Sequence, residues 1–318
     1  MGVKVLLVVF AVAVGVFALM EGGLRLIFGL GNPPLYIPDA EIGYLLAPNQ
    51  HLRRFGNRMR INQYSMRSDP LPAKRPASTL RILLLGDSIA NGAWWTDQDE
   101  TISALIESQL RSLFSQNSTS ESPKIAEVFN ASANSWGPRN QLAYLRRFGL
   151  FEAQVVVLLL NTDDLFATAP TSLPVGRDRN YPARKPPLAL TEIFTRVFVR
   201  PKPIPGMAQV NGEGGDRVAF NLEAIREIKA IATQANAQFI LAMTPLLREI
   251  GEPGPRDYEH TARKRLQELT NTEQIPYIDF LPLFNGFEQP EALYRDHIHL
   301  SPQGNQLISD TMSQSLNP

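Results

Sequence analysis

The sequence of 318 residues contains no cysteine, which excludes disulfide bonds, cysteine nucleophiles and thiolate zinc sites. Histidine is scarce, and any chemistry that needs an imidazole must use one of four residues: His51, His260, His297 and His299. An excess of one charge is also lacking, because 31 basic residues balance 31 acidic ones. Since nucleic-acid-binding proteins typically carry a clustered basic excess, we expect no nucleic-acid partner.

The most continuous apolar run lies at the amino terminus, from Val5 to Met20, between Lys4 and Glu21. At about 1.5 Å per residue it would span roughly 24 Å as a helix, so flanking residues must help it to cross a hydrocarbon core of about 30 Å. No small-x-small cleavage pattern follows the run. We therefore predict a membrane anchor or uncleaved signal over residues 1–29, with a single membrane pass and the rest of the chain on the extracytoplasmic side. A cleaved signal and a buried core helix are the alternatives.

A second apolar run, from Arg81 to Leu85, ends at Gly86-Asp87-Ser88. A short apolar run bounded by a turn is typical of a buried strand, and helix-compatible residues follow. This pattern places Ser88 at a strand-to-helix corner, where the N–H groups that open a helix point outward. A nucleophilic serine would be useful there, although Gly-Asp-Ser is also an ordinary turn sequence.

Strands and helices are predicted to alternate through the rest of the chain. The further strands are predicted at residues 125–129, 155–160, 239–243 and 277–280, the helices at 101–114, 138–148, 220–234, 258–269 and 302–315, and a polar loop at 117–122. This alternation implies a parallel sheet that is covered by helices on both faces. Ligands of such sheets bind outside the carboxyl ends of the strands, which is where Ser88 lies.

Two segments do not fit this alternation. Residues 30–78 are punctuated by proline and glycine, and we predict a small irregular or β-rich adaptor without a candidate functional residue before the main domain at 79–318. An insertion at about residues 167–216 is rich in proline, arginine and lysine and has an amphipathic fragment at 190–199. We predict a lid or substrate wall there, and a disordered insertion without a role is the alternative.

Asp296 and His299 stand three residues apart before the last predicted helix. A serine hydroxyl becomes a useful nucleophile when an imidazole takes its proton and a carboxylate fixes the imidazole tautomer. Ser88, His299 and Asp296 are therefore candidates for a catalytic triad, whereas a helix-capping aspartate beside a surface histidine is the alternative. His297 and His299 lie two residues apart on a predicted loop without a further ligand cluster, so we predict no metal site and no cofactor.

Four blocks in order resemble the SGNH (GDSL) hydrolase family: Gly86-Asp87-Ser88, Asn130 with its turn, Asn161-Thr162-Asp163-Asp164 and Asp296-x-x-His299. The resemblance covers roughly Arg81 to Leu316. It implies a flavodoxin-like three-layer α/β/α sandwich with a central parallel sheet, here preceded by a transmembrane helix. It also implies ester hydrolysis or acyl transfer through an acyl-serine, with Ser88 as the nucleophile, His299 as the base and Asp296 as the orienting carboxylate.

The same resemblance implies that Ser88, Ser135 and Asp163 occupy the oxyanion positions. Ser135 replaces a glycine that acts through its backbone N–H, which serine retains. Asp163 replaces an asparagine, and a carboxylate about 4 Å from an oxyanion would repel it by about 4 kcal/mol, or roughly a thousandfold in rate. Asp163 could be protonated, Asn161 could replace it, or Asp163 could turn away; we favour the last.

We therefore predict a serine hydrolase whose substrate is a small-molecule, lipid or glycan ester, such as an acetyl or other acyl group on an extracytoplasmic glycan or lipid. An O-acyltransferase of envelope polysaccharide that uses the same serine is one alternative. A catalytically weak binding protein, suggested by Asp163, is another. The amino-terminal helix predicts the membrane as a further partner.

Overall fold

The computed structural model of the chain describes residues 2–72, 74–116, 123 and 125–316. The predicted polar loop at 117–122 lies outside the described residues. The strands are β1 (Tyr36–Asp39), β2 (Gly43–Leu46), β3 (Gln50–Arg54), β4 (Asn57–Ile61), β5 (Thr79–Gly86), β6 (Ile125–Ser132), β7 (Val155–Asn161), β8 (Gln238–Thr244) and β9 (Tyr277–Asp279). The helices are α1 (Gly2–Phe28), α2 (Ser88–Asn91), α3 (Ile102–Gln116), α4 (Pro138–Phe148), α5 (Ala189–Phe198), α6 (Met207–Asn211), α7 (Arg217–Gln234), α8 (Asp257–Thr272), α9 (Leu281–Asn285) and α10 (Pro302–Leu316).

The central sheet has five parallel strands in the order β6-β5-β7-β8-β9. Every residue of β5 and of β7 is buried, which explains their continuous apolar sequences. Counted in chain order within the sheet, the strands follow 2-1-3-4-5, the flavodoxin-like order. The predicted fold class is therefore confirmed.

Helices cover both faces of this sheet. Because strand side chains alternate between faces, Leu83 and Leu85 pack into one hydrophobic cluster, with apolar residues of α4, α7 and α8. Ile82 and Leu84 pack into a second cluster, with residues of α3 and α10. This alternation produces the three layers, and the carboxyl ends of β5, β6 and β7 meet at one edge.

The adaptor segment forms two antiparallel hairpins, β1–β2 and β3–β4. Tyr36, Leu46 and Ile61 are buried in the cluster that also contains Leu83 of the central sheet. Buried Arg67 donates hydrogen bonds to main-chain carbonyls in the segment that follows α2, including that of Thr96 at 2.5 Å. The adaptor thus shares a core with the central sheet and braces the segment that follows α2.

Helix α1 is apolar, and none of its residues is buried within the chain. At about 1.5 Å per residue a helix of 27 residues measures roughly 40 Å, which exceeds a hydrocarbon core of about 30 Å. By length and composition α1 can therefore cross a membrane.

Candidate active site

The corner at Ser88 is built by its neighbours. Asp87 caps α2, because its Oδ1 accepts a hydrogen bond of 2.8 Å from the N–H of Ile89. Gly86 leaves no room for a side chain, since a Cβ there would lie 2.5 Å from the Cβ of Ala90. Gly92, at φ 69°, ends the helix after one turn. The Gly-Asp-Ser sequence therefore places Ser88 at the first residue of a short helix at the carboxyl end of β5.

The structure brings Ser88, His299 and Asp296 together. His299 Nε2 lies 3.0 Å from Ser88 Oγ, and His299 Nδ1 lies 2.8 Å from Asp296 Oδ2. Asp296 Oδ1 accepts hydrogen bonds from the N–H groups of Ile298, at 3.0 Å, and His299, at 2.8 Å. Burial acts to raise the pKa of Asp296, but these N–H groups and the imidazole outweigh it and lower that pKa. An ionised Asp296 can therefore orient the imidazole.

Trp95 packs against the imidazole. Its ring lies edge-on to His299 with the centroids 4.9 Å apart, and the Arg295 guanidinium lies 5.2 Å from the Trp95 centroid. His297 differs from His299, because its side chain is 84% exposed and its Nδ1 lies 3.9 Å from Asp296 Oδ1. The ring contact and the Asp296 hydrogen bond therefore position His299 as the imidazole that faces Ser88.

Ser135 faces the same cavity as Ser88. It has φ 58°, in the left-handed region that favours glycine, which accounts for the glycine that the resemblance implies at this position. Within the described part of the chain its N–H has no hydrogen-bond partner. Its Oγ accepts a hydrogen bond of 2.9 Å from the Tyr181 hydroxyl. The Ser135 N–H is therefore free to donate to a bound group.

Asp163 is not brought to this cavity. Its Oδ1 lies 4.0 Å from Arg248 Nη2, and its side chain is 58% exposed. Its N–H donates a hydrogen bond of 2.7 Å to Asn161 Oδ1. Burial raises the pKa of Asp163, whereas the Arg248 charge opposes this rise. Of the three predicted oxyanion residues, the structure places Ser88 and Ser135 together on the cavity and Asp163 beside Arg248.

Asn161 does not take the place of Asp163. Its Nδ2 donates to Asp87 Oδ2 at 2.9 Å and to Asp164 Oδ2 at 3.2 Å, which uses both amide hydrogens. Asp87 and Asp164 are both buried. Burial raises the pKa of both carboxyl groups, and the Asp87 charge raises that of Asp164 further. Asn161 thus joins two buried acids behind the nucleophile corner.

A cavity of about 350 Å³ opens over Ser88. Its walls come from five separate segments: Pro33, Pro34, Tyr36 and Met59 of the adaptor, Asn91, Ala93, Trp94 and Trp95 after Ser88, Asn134 and Ser135 after β6, Asn180, Tyr181, Pro182 and Arg196 of the insertion, and His297, Ile298 and His299 before α10. Sequence reasoning missed the adaptor residues and the two tryptophans. The Trp94-Trp95 pair, close behind Ser88 in the chain, was a signal that could have identified part of the wall.

Three tyrosine rings hold the adaptor and the insertion together beside this cavity. The Tyr181 centroid lies 5.0 Å from that of Tyr36 and 5.0 Å from that of Tyr44. The Tyr44 hydroxyl donates a hydrogen bond of 2.6 Å to the carbonyl of Asn134. The insertion therefore forms a packed wall of the site.

Comparison with known proteins gives the following matches. The model of the GDSL-like lipase/acylhydrolase family matches residues 84–307. The acetyl xylan esterase AlAXEase is 14% identical with a TM-score of 0.48, over 74% of this chain and 99% of that chain. A catalytic mutant of Axe2, an acetylxylan esterase from Geobacillus stearothermophilus, is 13% identical with a TM-score of 0.48, over 74% and 93%. A lipase/acylhydrolase from Enterococcus faecalis is 14% identical with a TM-score of 0.43, over 74% and 95%. Comparison with curated proteins finds no match.

Proposed function

The chain belongs to the GDSL-like lipase/acylhydrolase family, and on this basis we propose that it is a membrane-anchored serine esterase that forms an acyl-enzyme at Ser88. The observation that carries the proposal is the hydrogen-bonded series Ser88–His299–Asp296, with separations of 3.0 Å and 2.8 Å. An imidazole that is held by a carboxylate at Nδ1 presents Nε2 as a base to the serine hydroxyl.

In the proposed reaction, Ser88 Oγ attacks the ester carbonyl while its proton passes to His299 Nε2. The tetrahedral oxyanion accepts hydrogen bonds from the backbone N–H groups of Ser88 and Ser135. The intermediate collapses, and the leaving alkoxide takes the proton from His299. Water then attacks the acyl-serine while its proton passes to His299 Nε2, and the imidazole returns that proton to Ser88 Oγ as the acid is released.

The cavity supports a short acyl group as the substrate acid. Its volume of about 350 Å³ lies near the lower end of the range of ligand sites. Trp94, Trp95 and Tyr181 supply aromatic surface, whereas Asn134 and Asn180 supply amide groups for hydroxyl partners. This combination suits an acetyl or other short acyl ester of a hydroxyl-rich alcohol, such as a glycan.

The contacts of α1 support a retained anchor. Glu21 accepts hydrogen bonds from the N–H groups of Ala189, at 2.7 Å, and Leu190, at 3.1 Å. Arg25 Nη2 donates a hydrogen bond of 2.9 Å to the carbonyl of Pro187. Cleavage beyond Arg25 would remove these partners of the insertion, whereas cleavage directly after Met20 would leave both in place. We propose that α1 remains attached and holds an extracytoplasmic catalytic domain at the membrane.

A series of 4-nitrophenyl esters from acetate to dodecanoate tests the proposal on the full-length protein in detergent. We expect the acetate to turn over fastest, and Ser88→Ala to reduce kcat by at least about a thousandfold. Ser115→Ala, at an exposed serine of α3, is the matched control and should leave kcat unchanged. Full turnover by Ser88→Ala, or no turnover of any ester by the parent protein, would exclude the proposed esterase.

An acyltransferase would use the same acyl-serine, so the second substrate separates the two functions. The released products should be analysed with an acetyl donor in the presence and absence of a polysaccharide acceptor. We expect free acetate in both cases. Acetylated polysaccharide without free acetate would assign the protein as a transferase.

A further inference from the structure

Helix α5 of the insertion has an uncovered apolar face. Phe194, Val197 and Phe198 are 58%, 66% and 69% exposed. Their spacing of three and four residues places them on one side of the helix. The rings of Phe194 and Phe198 pack on each other, with centroids 5.4 Å apart, and Val199 continues the apolar surface at 44% exposure. An apolar cluster of this kind on a short helix is suited to a binding surface.

The first turn of α5 is attached to the end of the membrane-crossing segment. The Glu21 carboxylate accepts hydrogen bonds from the N–H groups of Ala189, at 2.7 Å, and Leu190, at 3.1 Å. Glu21 directly follows the apolar run that ends at Met20. Phe198 lies eight residues beyond Leu190, which corresponds to about 12 Å of helix. The apolar face of α5, from Phe194 to Phe198, therefore lies within about 12 Å along the helix axis of Leu190, which Glu21 holds at the end of the anchor.

A buried ion pair fixes this arrangement. Glu192 of α5 accepts hydrogen bonds from Arg54 Nη2 at 2.6 Å and from the N–H of Gly31 at 2.7 Å. The side chains of Arg54 and Glu192 are 4% and 5% exposed. Separating Arg54 from Glu192 would leave a buried charge uncompensated, which is costly. The ion pair therefore holds α5 against the chain that leaves α1.

A basic cavity of about 470 Å³ lies beside α5. Its lining includes five cationic side chains, those of Arg177, Arg179, Arg184, Arg200 and Lys202, and one carboxylate, that of Asp178. Within the described ranges, none of the five cations forms an ion pair with a carboxylate. Unneutralised guanidinium groups bind phosphate oxygens well, and basic clusters next to a membrane anchor attract anionic lipids.

We propose that α5 and this basic cavity form a binding surface for an anionic lipid bilayer. The apolar face of α5 lies in the boundary between headgroups and acyl chains, and the cations of the cavity bind lipid phosphates. Arg196 of the same helix lines the cavity over Ser88, so contact with lipid sets the mouth of that cavity at the membrane surface. The inference rests on the proposed anchor and is independent of the catalytic roles.

The absence of cysteine permits a direct test with single-cysteine variants. Full-length Phe198→Cys, labelled with an environment-sensitive fluorophore, is reconstituted in vesicles that contain one quarter phosphatidylglycerol. Glu268→Cys is the matched control, because Glu268 is 64% exposed on α8. We expect acyl-chain nitroxide lipids to quench Phe198→Cys at least threefold more than Glu268→Cys, and an aqueous quencher on both sides of the vesicle to show the reverse order. Val197→Cys should behave as Phe198→Cys does, which guards against a local folding defect.

The contribution of the basic cavity is tested in the same vesicles. The triple change Arg184→Gln, Arg200→Gln and Lys202→Gln in the Phe198→Cys protein, or vesicles of phosphatidylcholine alone, should reduce lipid quenching by at least half. Equal aqueous quenching of Phe198→Cys and Glu268→Cys would overturn the proposal. Protection of Phe198→Cys from both quenchers would assign the apolar face to a protein partner or a second copy instead. Lipid quenching that does not change with the lipid charge would exclude the basic cavity from the binding surface. Because fluorescence does not depend on turnover, these results leave the proposed esterase reaction untouched.

Discussion

The Asp163 carboxylate lies 4.0 Å from the Arg248 guanidinium, with 58% of the Asp163 side chain exposed. Asp163 is also not among the residues that line the cavity over Ser88, which answers the objection that a carboxylate at the usual asparagine position would repel an oxyanion. Ser135, by contrast, lines the cavity with Ser88. We infer that the two backbone N–H groups are the oxyanion donors and that Asp163 is a bystander.

Asp163→Ala should therefore change kcat/KM for an acetyl ester by less than about threefold. A carboxylate about 4 Å from the oxyanion would cost about 4 kcal/mol, so its removal would accelerate the reaction by roughly a thousandfold. Asp69→Ala is the control, because it also removes an exposed carboxylate that lies beside an arginine, Arg60. A rise of a hundredfold or more with Asp163→Ala alone would place the carboxylate next to the reacting carbonyl.

Asp296→Asn should lower kcat by about 10³–10⁴ with little change in KM, because the amide no longer fixes the Nδ1–H tautomer of His299. The variant should fold, since an amide oxygen can still accept the hydrogen bonds from the N–H groups of Ile298 and His299. Asp310→Asn, at an exposed aspartate of α10, is the control. Steady-state kinetics measure kcat, and the melting temperature shows whether the variant is folded. A decrease in kcat of less than tenfold in a folded variant would exclude Asp296 from the triad.

Ser135 provides a test of the backbone donor. Ser135→Gly and Ser135→Ala both delete the hydroxyl that accepts from Tyr181 but keep the N–H. We expect both to retain kcat within about tenfold. Because φ is 58°, the alanine variant should have a free energy of unfolding about 1 kcal/mol below that of the glycine variant in urea denaturation. A loss of a hundredfold in both variants would show that the hydroxyl, rather than the N–H, serves the oxyanion.

The raised pKa of Asp164 should make the free energy of unfolding depend on pH. Burial and the Asp87 charge raise the pKa of Asp164 well above its usual value, so the folded state binds a proton more tightly than the unfolded state does. This group therefore destabilises the fold progressively as the pH rises from the unfolded pKa of about 3.9 towards the raised folded value. Asp164→Asn keeps an acceptor for the Asn161 N–H, 2.9 Å away in the parent protein, and removes the titration.

The free energy of unfolding of Asp164→Asn, relative to the parent protein, should therefore increase between pH 4 and pH 8. Chemical denaturation at a series of pH values measures this difference. A difference that stays constant or decreases over the same range would mean that the folded state does not favour the protonated carboxyl group.

The sheet could be predicted from the sequence because its signals are local. The run from Ile82 to Leu85 is apolar on both faces, and a strand buried on both faces needs no partner information to be recognised. The association of Ser88 with His299, 211 residues apart, was predicted from the resemblance, and the structure places the two side chains 3.0 Å apart. Block order therefore anticipated that these two side chains lie together.

The walls of the cavity could not be predicted in the same way. Tyr36 and Met59 belong to strands of only four and five residues, and they share a buried cluster with Leu83 of the central sheet. The Asp163 carboxylate likewise lies 4.0 Å from Arg248, a residue 85 positions later in the chain. Such tertiary contacts leave no local pattern, so sequence reasoning could favour an Asp163 that turns away but could not identify Arg248 as its neighbour.

The acyl-serine at Ser88 is the central claim, and reaction of the full-length protein with a fluorophosphonate tests it most directly. Peptide mass spectrometry locates the adduct, and His299→Ala controls for activation of the hydroxyl by the imidazole. We expect stoichiometric modification of Ser88 in the parent protein and a labelling rate at least about a thousandfold lower in His299→Ala. An unmodified Ser88 in folded protein, or an adduct on another residue, would contradict the proposed nucleophile.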